Sequence, residues 1–348
     1  MINIHVANIH IIALLYYQTK IKMQRKIPLI IDSLSPLELE TYRRRICTDI
    51  PEYSTMNRNY EIIYRLLDDK PADYVRAIQE REILKTRLKT KDIRTGRVII
   101  LRSFTEIWED PTSKLADEIL ASSNPLELKW TLAKKYNYKL ATTFMPMYAK
   151  SIYEYFNAKT VLDPCAGWGD RMVGALSSNC VERYVGFDPN TNLVPGYKQI
   201  QKDFGNDVIS ENSGENHMTF TGSYEIYSLP FELGAKNLEN QKFDFAFTSP
   251  PFFDYEIYST ENPTYRDWFR EFYEPLFILT AKYLCPNGFF AIHIGDTSAG
   301  KIQDFLFQRV GQITNFRLKG KIGLVGGQSG KIRDVYLFQL TSNKVIRS

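Results

Sequence analysis

The sequence predicts an α/β protein: a doubly wound, largely parallel sheet of about seven strands, preceded by a mostly helical amino-terminal region. Three observations carry this. After Trp130 short apolar runs alternate with helical stretches, the signature of strands joined by crossover helices. Two of those runs end in turns rich in glycine or proline, at Asp163 and at Ser249. Before Lys135, apolar residues recur at three- and four-residue spacing, as on one face of a helix.

Taken in order, residues 1–22 form an uncertain leader. MINIHVANIHIIALLYY is apolar, but Asn3, His5, Asn8 and His10 interrupt it, and it lacks a basic start. It also falls short of the roughly 20 apolar residues of a spanning helix, so neither a membrane span nor a signal peptide is expected. Met23 offers a second plausible start. Residues 23–135 read as mostly helical and basic. Ser35 caps PLELETYRRR, and Ile62, Ile63, Leu66 and Leu67 make one apolar stripe. Between Arg81 and Arg97 the chain carries an excess of five positive charges, from Arg81, Lys85, Arg87, Lys89, Lys91, Arg94 and Arg97 against Glu82 and Asp92. A turn at Thr95-Gly96 puts the end of this run in a hairpin. Phosphate binding and a solvated helix face both account for the charge, and the sequence leaves both open.

Residues 136–348 form the α/β domain. Its expected strands are Thr160 to Leu162, Arg183 to Phe187, Met218 to Thr221, Phe243 to Thr248, Phe289 to Ile294, Thr314 to Leu318 and Asp334 to Leu340. The Asn-, Ser- and Gly-rich stretch from Asn206 to Asn216 reads as a surface loop.

Composition narrows the function. With 44% hydrophobic and 24% charged residues, the chain is neither collagen-like, disordered nor a disulfide scaffold. The net charge of +4 is too near balance to identify a nucleic-acid partner by itself. Cys47, Cys165, Cys180 and Cys285 are far apart with no CxxC pair, which points to a reducing intracellular compartment, cytoplasm or nucleus. The four histidines, His5, His10, His217 and His293, suggest no metal cluster, and His293, within an apolar strand, reads as a satisfied core residue. A GxxxxGK(S/T) phosphate loop is absent.

The most informative segment is TVLDPCAGWGDRMVGAL, residues 160–176. A short apolar strand ends at Asp163 and passes through Gly167 and Gly169 into a helix, which reads as a nucleoside-cofactor loop. The pattern is not the dinucleotide GxGxxG, because Val173 holds the third position and Gly174 comes one step late. In YVGFDPN, Asp188 ends the next apolar strand, where a carboxylate can accept hydrogen bonds from both ribose hydroxyls. Downstream, KFDFAFTSPPFFDYEIYS breaks its strand at Ser249-Pro250-Pro251-Phe252. The two prolines fix the backbone direction and aim the Ser249 and Pro250 carbonyls and the Ser249 hydroxyl at the crevice beyond the strand end. Such acceptors would bind the hydrogens of an exocyclic amino group and localise its lone pair, while Phe252 stacks on the base for roughly 1–3 kcal/mol.

These segments resemble the class I S-adenosylmethionine-dependent methyltransferases, and SPPF is similar to the (D/N/S)PP(Y/F/W) motif of the amino-group nucleic-acid methyltransferases. The resemblance spans Phe144 to Leu340. It implies a Rossmann-like methyltransferase sheet, S-adenosylmethionine as cofactor and no metal. It assigns the cofactor to Asp163, Cys165, Ala166, Gly167, Trp168 and Gly169, with the ribose on Asp188 and Pro189. FMPMYAKSIYEYF adds Phe144 and Pro146 as a segment closing over the cofactor, and Glu225 in GSYEIYSLPFE would approach the adenine. Ser249, Pro250, Pro251 and Phe252 would be the catalytic group, and Phe253, Tyr255, Lys85, Arg87, Lys89 and Arg333 would meet the substrate. Bulky Trp168 and the pair Asp170-Arg171 depart from the family's commoner loop, which ends in small residues. AGWGDR with TSPPFFD also looks like methyltransferase-like proteins of large DNA viruses.

The function expected is methyl transfer to the N6 of adenine or the N4 of cytosine in nucleic acid, with DNA preferred. An RNA adenine-N6 methyltransferase and a non-catalytic nucleic-acid-binding subunit are the alternatives. A carbon-5 pyrimidine enzyme fits less well, since it needs a nucleophilic cysteine after proline, whereas LCPN puts Cys285 first. The late segment Gly320 to Leu340, with Lys321, Lys331 and Arg333, is expected to form a basic hairpin. Target sequence, strandedness and oligomeric state are left open.

Overall fold

The computed structural model describes residues 35–55, 59–66, 73–92, 94–109, 141–204, 217–220, 223–252, 256–258, 267–296, 301–326 and 330–341. The leader, His5, His10, Phe253 and Tyr255 lie outside the described residues.

The amino-terminal region holds helix α1 (Pro36–Thr48), strands β1 (Glu52–Ser54) and β2 (Ile62–Arg65), short helices α2 (Asp73–Ile78) and α3 (Glu80–Lys85), strands β3 (Arg87–Lys91) and β4 (Val98–Ile100), and helix α4 (Phe104–Glu109). Ser35 caps α1 as expected: its hydroxyl accepts from the Glu38 N–H, and Glu38 reaches back to the Ser35 N–H at 2.7 Å. The stripe at Ile62 is a correction. Ile62 and Tyr64 are buried at a spacing of two, so the segment is a strand, and it pairs in parallel with Ile322 to Val325 at the far end of the chain. The amino-terminal region therefore extends the main sheet. Further ties hold it there: Tyr74 donates to Asp203 at 2.6 Å, and Tyr64 donates to the Ser151 carbonyl at 3.0 Å.

The rest alternates as predicted. Helix α5 (Pro146–Phe156) leads into β5 (Thr160–Asp163), then α6 (Asp170–Leu176), β6 (Arg183–Phe187) and α7 (Val194–Phe204). After β7 (His217–Phe220), β8 (Tyr224–Tyr227) and α8 (Phe231–Gly234) come β9 (Phe243–Thr248) and the two-residue β10 (Glu256–Ile257). The chain closes with α9 (Glu274–Tyr283), β11 (Leu284–His293), α10 (Ile302–Gln308), α11 (Val310–Ile313) and the hairpin strands β12 (Phe316–Val325) and β13 (Ile332–Leu340).

Among the described residues one sheet has ten strands, ordered β1-β2-β12-β13-β11-β9-β5-β6-β8-β7. The seven expected strands correspond to β5, β6, β7, β9, β11, β12 and β13; β8 lies between β6 and β7, and β1-β2 extend the opposite edge. The chain winds outward from β5 through β6 to β8, then returns to β9 beside β5 and winds the other way to β11, all in parallel. The strand order reverses between β5 and β9, and a crevice opens there beyond the carboxyl ends.

Side chains alternate across this sheet. Val161, Phe245, Phe247 and Ala291 pack under α5, α6 and α7 in one core, while Leu162, Ala246, Phe290 and Ile292 pack with α8, α9 and α10 in the other. Burial on both faces makes β5, β9 and β11 nearly continuous apolar runs, which is why the sequence marks them so clearly.

Candidate active site

The glycine loop between β5 and α6 folds over the carboxyl end of β5. Gly167 and Gly169 have φ of 58° and 95°, in the left-handed region, and a Cβ on Gly169 would sit 2.7 Å from Ile200 Cδ1. Gly174 answers a separate demand. A Cβ there would lie 2.6 Å from the Ala149 Cβ and 2.8 Å from the Pro146 carbonyl oxygen, so glycine lets α5 and α6 approach closely. That contact sets the Phe144–Pro146 segment beside the loop.

Asp163 anchors the loop from below. Its two oxygens accept from Arg171 Nε at 2.8 Å and Nη2 at 3.3 Å, the Tyr184 hydroxyl at 2.7 Å, the Thr248 hydroxyl at 3.0 Å and the Cys165 N–H at 3.2 Å. The side chain is 0% exposed. A carboxylate offers about four lone-pair sites, so Asp163 is saturated and faces no ligand. This corrects its assignment to the cofactor, and the unusual Arg171 is the reason. Arg171 also lies 5.7 Å from the Phe144 ring centroid and donates to the Cys165 carbonyl.

Above the loop lies a cavity of about 1000 Å³ at the reversal of strand order. Phe144, Cys165, Gly167, Trp168, Asp188 and Pro189 line it, and so do Ser249, Pro250, Pro251 and Phe252. The two loops singled out in the sequence therefore share one chamber. Pro146, Ala166 and Gly169 do not line it; they shape the wall behind. Glu225 does not reach it either. It pairs with Arg183 at 3.0 Å and accepts from the Tyr227 hydroxyl, because within β8 it lies level with Val185, two residues short of the strand ends that frame the crevice. The acid that lines the wall beyond β8 is Glu232, in α8.

Asp188 ends β6 as predicted. One carboxylate oxygen accepts from the Gly167 N–H at 3.0 Å and the other from the Asn190 N–H at 2.9 Å. Burial pushes its pKa up to about 7 against these hydrogen bonds. Two lone pairs are used, so acceptor capacity remains for hydroxyl donors. Burial likewise pushes the Cys165 thiol well up, aided by the charges of Asp163 and Asp188, so it stays protonated near neutral pH.

On the opposite wall, the Tyr273 hydroxyl donates to the Pro251 carbonyl at 3.1 Å and fixes the SPPF turn. The Ser249 hydroxyl has no hydrogen-bond partner among the described residues. Phe252 stands edge-on to His293, ring centroids 6.0 Å apart, and Phe144 flanks the same imidazole at 5.6 Å. His293 Nδ1 meets the Asp334 carbonyl at 3.0 Å, and burial lowers its pKa to about 4. It is thus neutral and satisfied at Nδ1 as expected, yet it also lines the cavity. Trp268 lines it too while packing edge-on to Phe272 at 5.6 Å.

The hairpin expected at Thr95-Gly96 forms between β3 and β4, but its place as the roof of the cavity was not foreseen. β10, just past SPPF, pairs antiparallel with β3, and β3 with β4, in a small three-stranded sheet. Tyr258 hangs from this roof 5.6 Å from Trp168 and donates to the half-buried Glu256. Of the expected substrate cations, Lys89 and Arg333 line the cavity, joined by Lys331. Lys85 instead pairs with Glu82 at 2.6 Å and Arg87 with Glu106, outside the chamber: Lys85 ends α3, before the strand begins, and Arg87, at the start of β3, is held by α4. Among the described residues no cluster of three or more His, Cys, Asp or Glu is placed to hold a metal, and no helix is long and apolar enough to cross a membrane.

No family model matches the sequence, and no curated protein matches it. Solved structures similar to it include an rRNA methylase from Streptococcus thermophilus, at 10% identity over 58% of this chain and 100% of that one, with a TM-score of 0.37. A methyltransferase from Pyrococcus furiosus is 13% identical over 62% of this chain and 96% of that one, TM-score 0.37. Cofactor-bound Rv0187 from MTB is 12% identical over 66% of this chain and 97% of that one, TM-score 0.39. Likenesses this distant say nothing of the chemistry, which rests on the residues of the site.

Proposed function

We propose that the protein is an S-adenosylmethionine-dependent methyltransferase acting on the exocyclic amino group of adenine or cytosine in nucleic acid, with DNA the preferred polymer. The observation that carries the reading is the shared chamber: the glycine loop with Asp188 forms one wall and SPPF the other. The residues fit such a cofactor. Asp188 keeps acceptor capacity for ribose hydroxyls, Trp168 and Leu193 give apolar wall, and the volume accommodates a nucleoside beside a base.

The bound cofactor supplies a methyl group made electrophilic by its sulfonium. The chain's own residues do the rest. Ser249 and the Pro250 carbonyl accept the amino hydrogens and localise the nitrogen lone pair, worth about 3 kcal/mol for one such preorganised contact. Phe252 stacks the base and offsets the cost of extruding it. Holding nitrogen and methyl in one chamber replaces a bimolecular encounter. Methyl transfer would leave the cofactor as its neutral thioether, and the amino nitrogen would then release a proton to water. Lys89, Lys331 and Arg333 at the cavity give phosphates on the flanking strand a cationic rim.

The test is incubation with S-adenosylmethionine and duplex DNA, single-stranded DNA or RNA, followed by digestion and mass spectrometry of the nucleosides. N6-methyladenine or N4-methylcytosine in DNA is the expected result. Methylation of RNA alone would transfer the reading to RNA, and no methylated base in any polymer would contradict it.

A further inference from the structure

Asp170 opens α6 directly after Gly169, and its side chain is 2% exposed. It lines the cavity, yet its Oδ1 has no hydrogen-bond partner among the described residues. The backbone N–H of Phe144 bonds to the carboxyl group, and Arg171 and Arg76 lie near enough to favour its charge. Neither is placed to neutralise it. The Arg171 guanidinium is committed to Asp163 and to the Cys165 carbonyl, and Arg76 donates to the Thr143 hydroxyl at 3.3 Å. Burial outweighs both cations and raises the carboxyl pKa to about 7. A buried carboxyl with an open oxygen is costly, and its position in a cavity wall means that a bound cation would offset the cost.

Two carboxylates therefore stand at different points of one chamber. Asp188 is held by the Gly167 and Asn190 N–H groups at the end of β6, whereas Asp170 opens α6 and accepts from the Phe144 N–H. A ligand reaching both carries hydroxyl donors at one end and a cation at the other. Asp163, the first acid of the loop, cannot take the cation because five donors already fill it. We propose that Asp170 receives the ammonium group on the amino-acid end of the cofactor, a role resting on the methyltransferase reading above. The Asp170-Arg171 pair then has one logic: Arg171 locks Asp163 into the scaffold, and Asp170 takes over the ligand contact.

The test is calorimetric titration of the full chain and its Asp170→Asn variant with three ligands: S-adenosylhomocysteine, its analogue with hydrogen in place of the ammonium, and 5′-methylthioadenosine, which lacks the whole amino-acid end. All three lack the sulfonium, so any difference among them reports the amino-acid end. In the wild type, removing the ammonium should weaken binding about tenfold or more, the size of a charge-assisted hydrogen bond. Asp170→Asn should weaken S-adenosylhomocysteine by a similar factor, leave the other two within about twofold, and keep or raise the unliganded melting temperature. That combination separates ligand recognition from a structural role, because a scaffold residue would lower the melting temperature and weaken all three alike. Equal loss for all ligands, or a wild type indifferent to the ammonium, would overturn the assignment. Failure of the wild type to bind any of them would overturn the cofactor reading, and the assignment with it.

Discussion

Asp163 and Arg171 form an ion pair beneath the glycine loop, 2.8 Å from Nε to Oδ2, with the two side chains 0% and 3% exposed. The pair joins the carboxyl end of β5 to the first turn of α6 and so fixes the loop between them. Deep burial gives it a lopsided energetics: keeping both partners is close to neutral, while removing one strands the other's charge.

Arg171→Met should therefore destabilise the protein by about 3–5 kcal/mol in urea unfolding. It should also weaken cofactor binding, because the loop rests on the pair. A change within about 0.5 kcal/mol, typical of surface substitutions, would show that the pair does not anchor the loop.

Gly174→Ala places a methyl against the Pro146 carbonyl oxygen and the Lys150 backbone nitrogen, 2.8 and 2.9 Å away. Neither is a flexible side-chain end, so α5 must move off α6 and carry Phe144 with it. Overpacking of this kind costs about 1–3 kcal/mol. Lower melting temperature together with weaker cofactor affinity is the expected outcome.

Stability should depend on pH through groups that oppose each other. The Asp170 pKa is raised from 3.8 to about 7 in the fold. Its protonated form is therefore favoured in the folded state, and the stability it gives is present below about pH 4 and lost as pH rises towards 7. Asp188 acts in the same sense. His293, lowered from 6.5 to about 4, acts in the other: its contribution is present above about 6.5 and lost as pH falls towards 4. Asp170→Asn should gain stability relative to wild type between pH 5 and pH 8, read by urea unfolding at both. The His293 imidazole should stay neutral down to about pH 4 in an NMR titration.

Lys89→Ala should weaken polymer binding and lower its salt slope by about 1, as for loss of one phosphate contact. Lys85→Ala, whose ammonium is paired with Glu82 outside the cavity, should leave the slope unchanged.

Much of this architecture was legible because β5, β6, β9 and β11 are buried on both faces and read as apolar runs, each ended by its turn. Asp188 and SPPF were found from their places at strand ends. Ile62, Ile63, Leu66 and Leu67 misled because two adjacent pairs of apolar residues fit helix and strand alike, and the partner that decides for Ile62, β12, lies some 260 residues on. Glu225 misled because the strand end, not the nearest acid, meets the crevice. Asp163 looked like a ligand residue until Arg171, eight positions later, proved to fill it. Of the roof, the turn at Thr95-Gly96 marked the β3-β4 hairpin, but β10 could not be read: it has two residues, and only its pairing with Arg87 and Leu88 gives it shape.

On the proposed reading, cofactor and target base meet in one chamber between Gly167 and Ser249. The most direct measurement is methyl transfer from labelled S-adenosylmethionine to an oligonucleotide by Ser249→Ala, with the cofactor affinity of the same variant measured alongside. Turnover should fall about 100-fold, the size of one lost preorganised contact, with cofactor affinity unchanged. Turnover equal to wild type would contradict the reading.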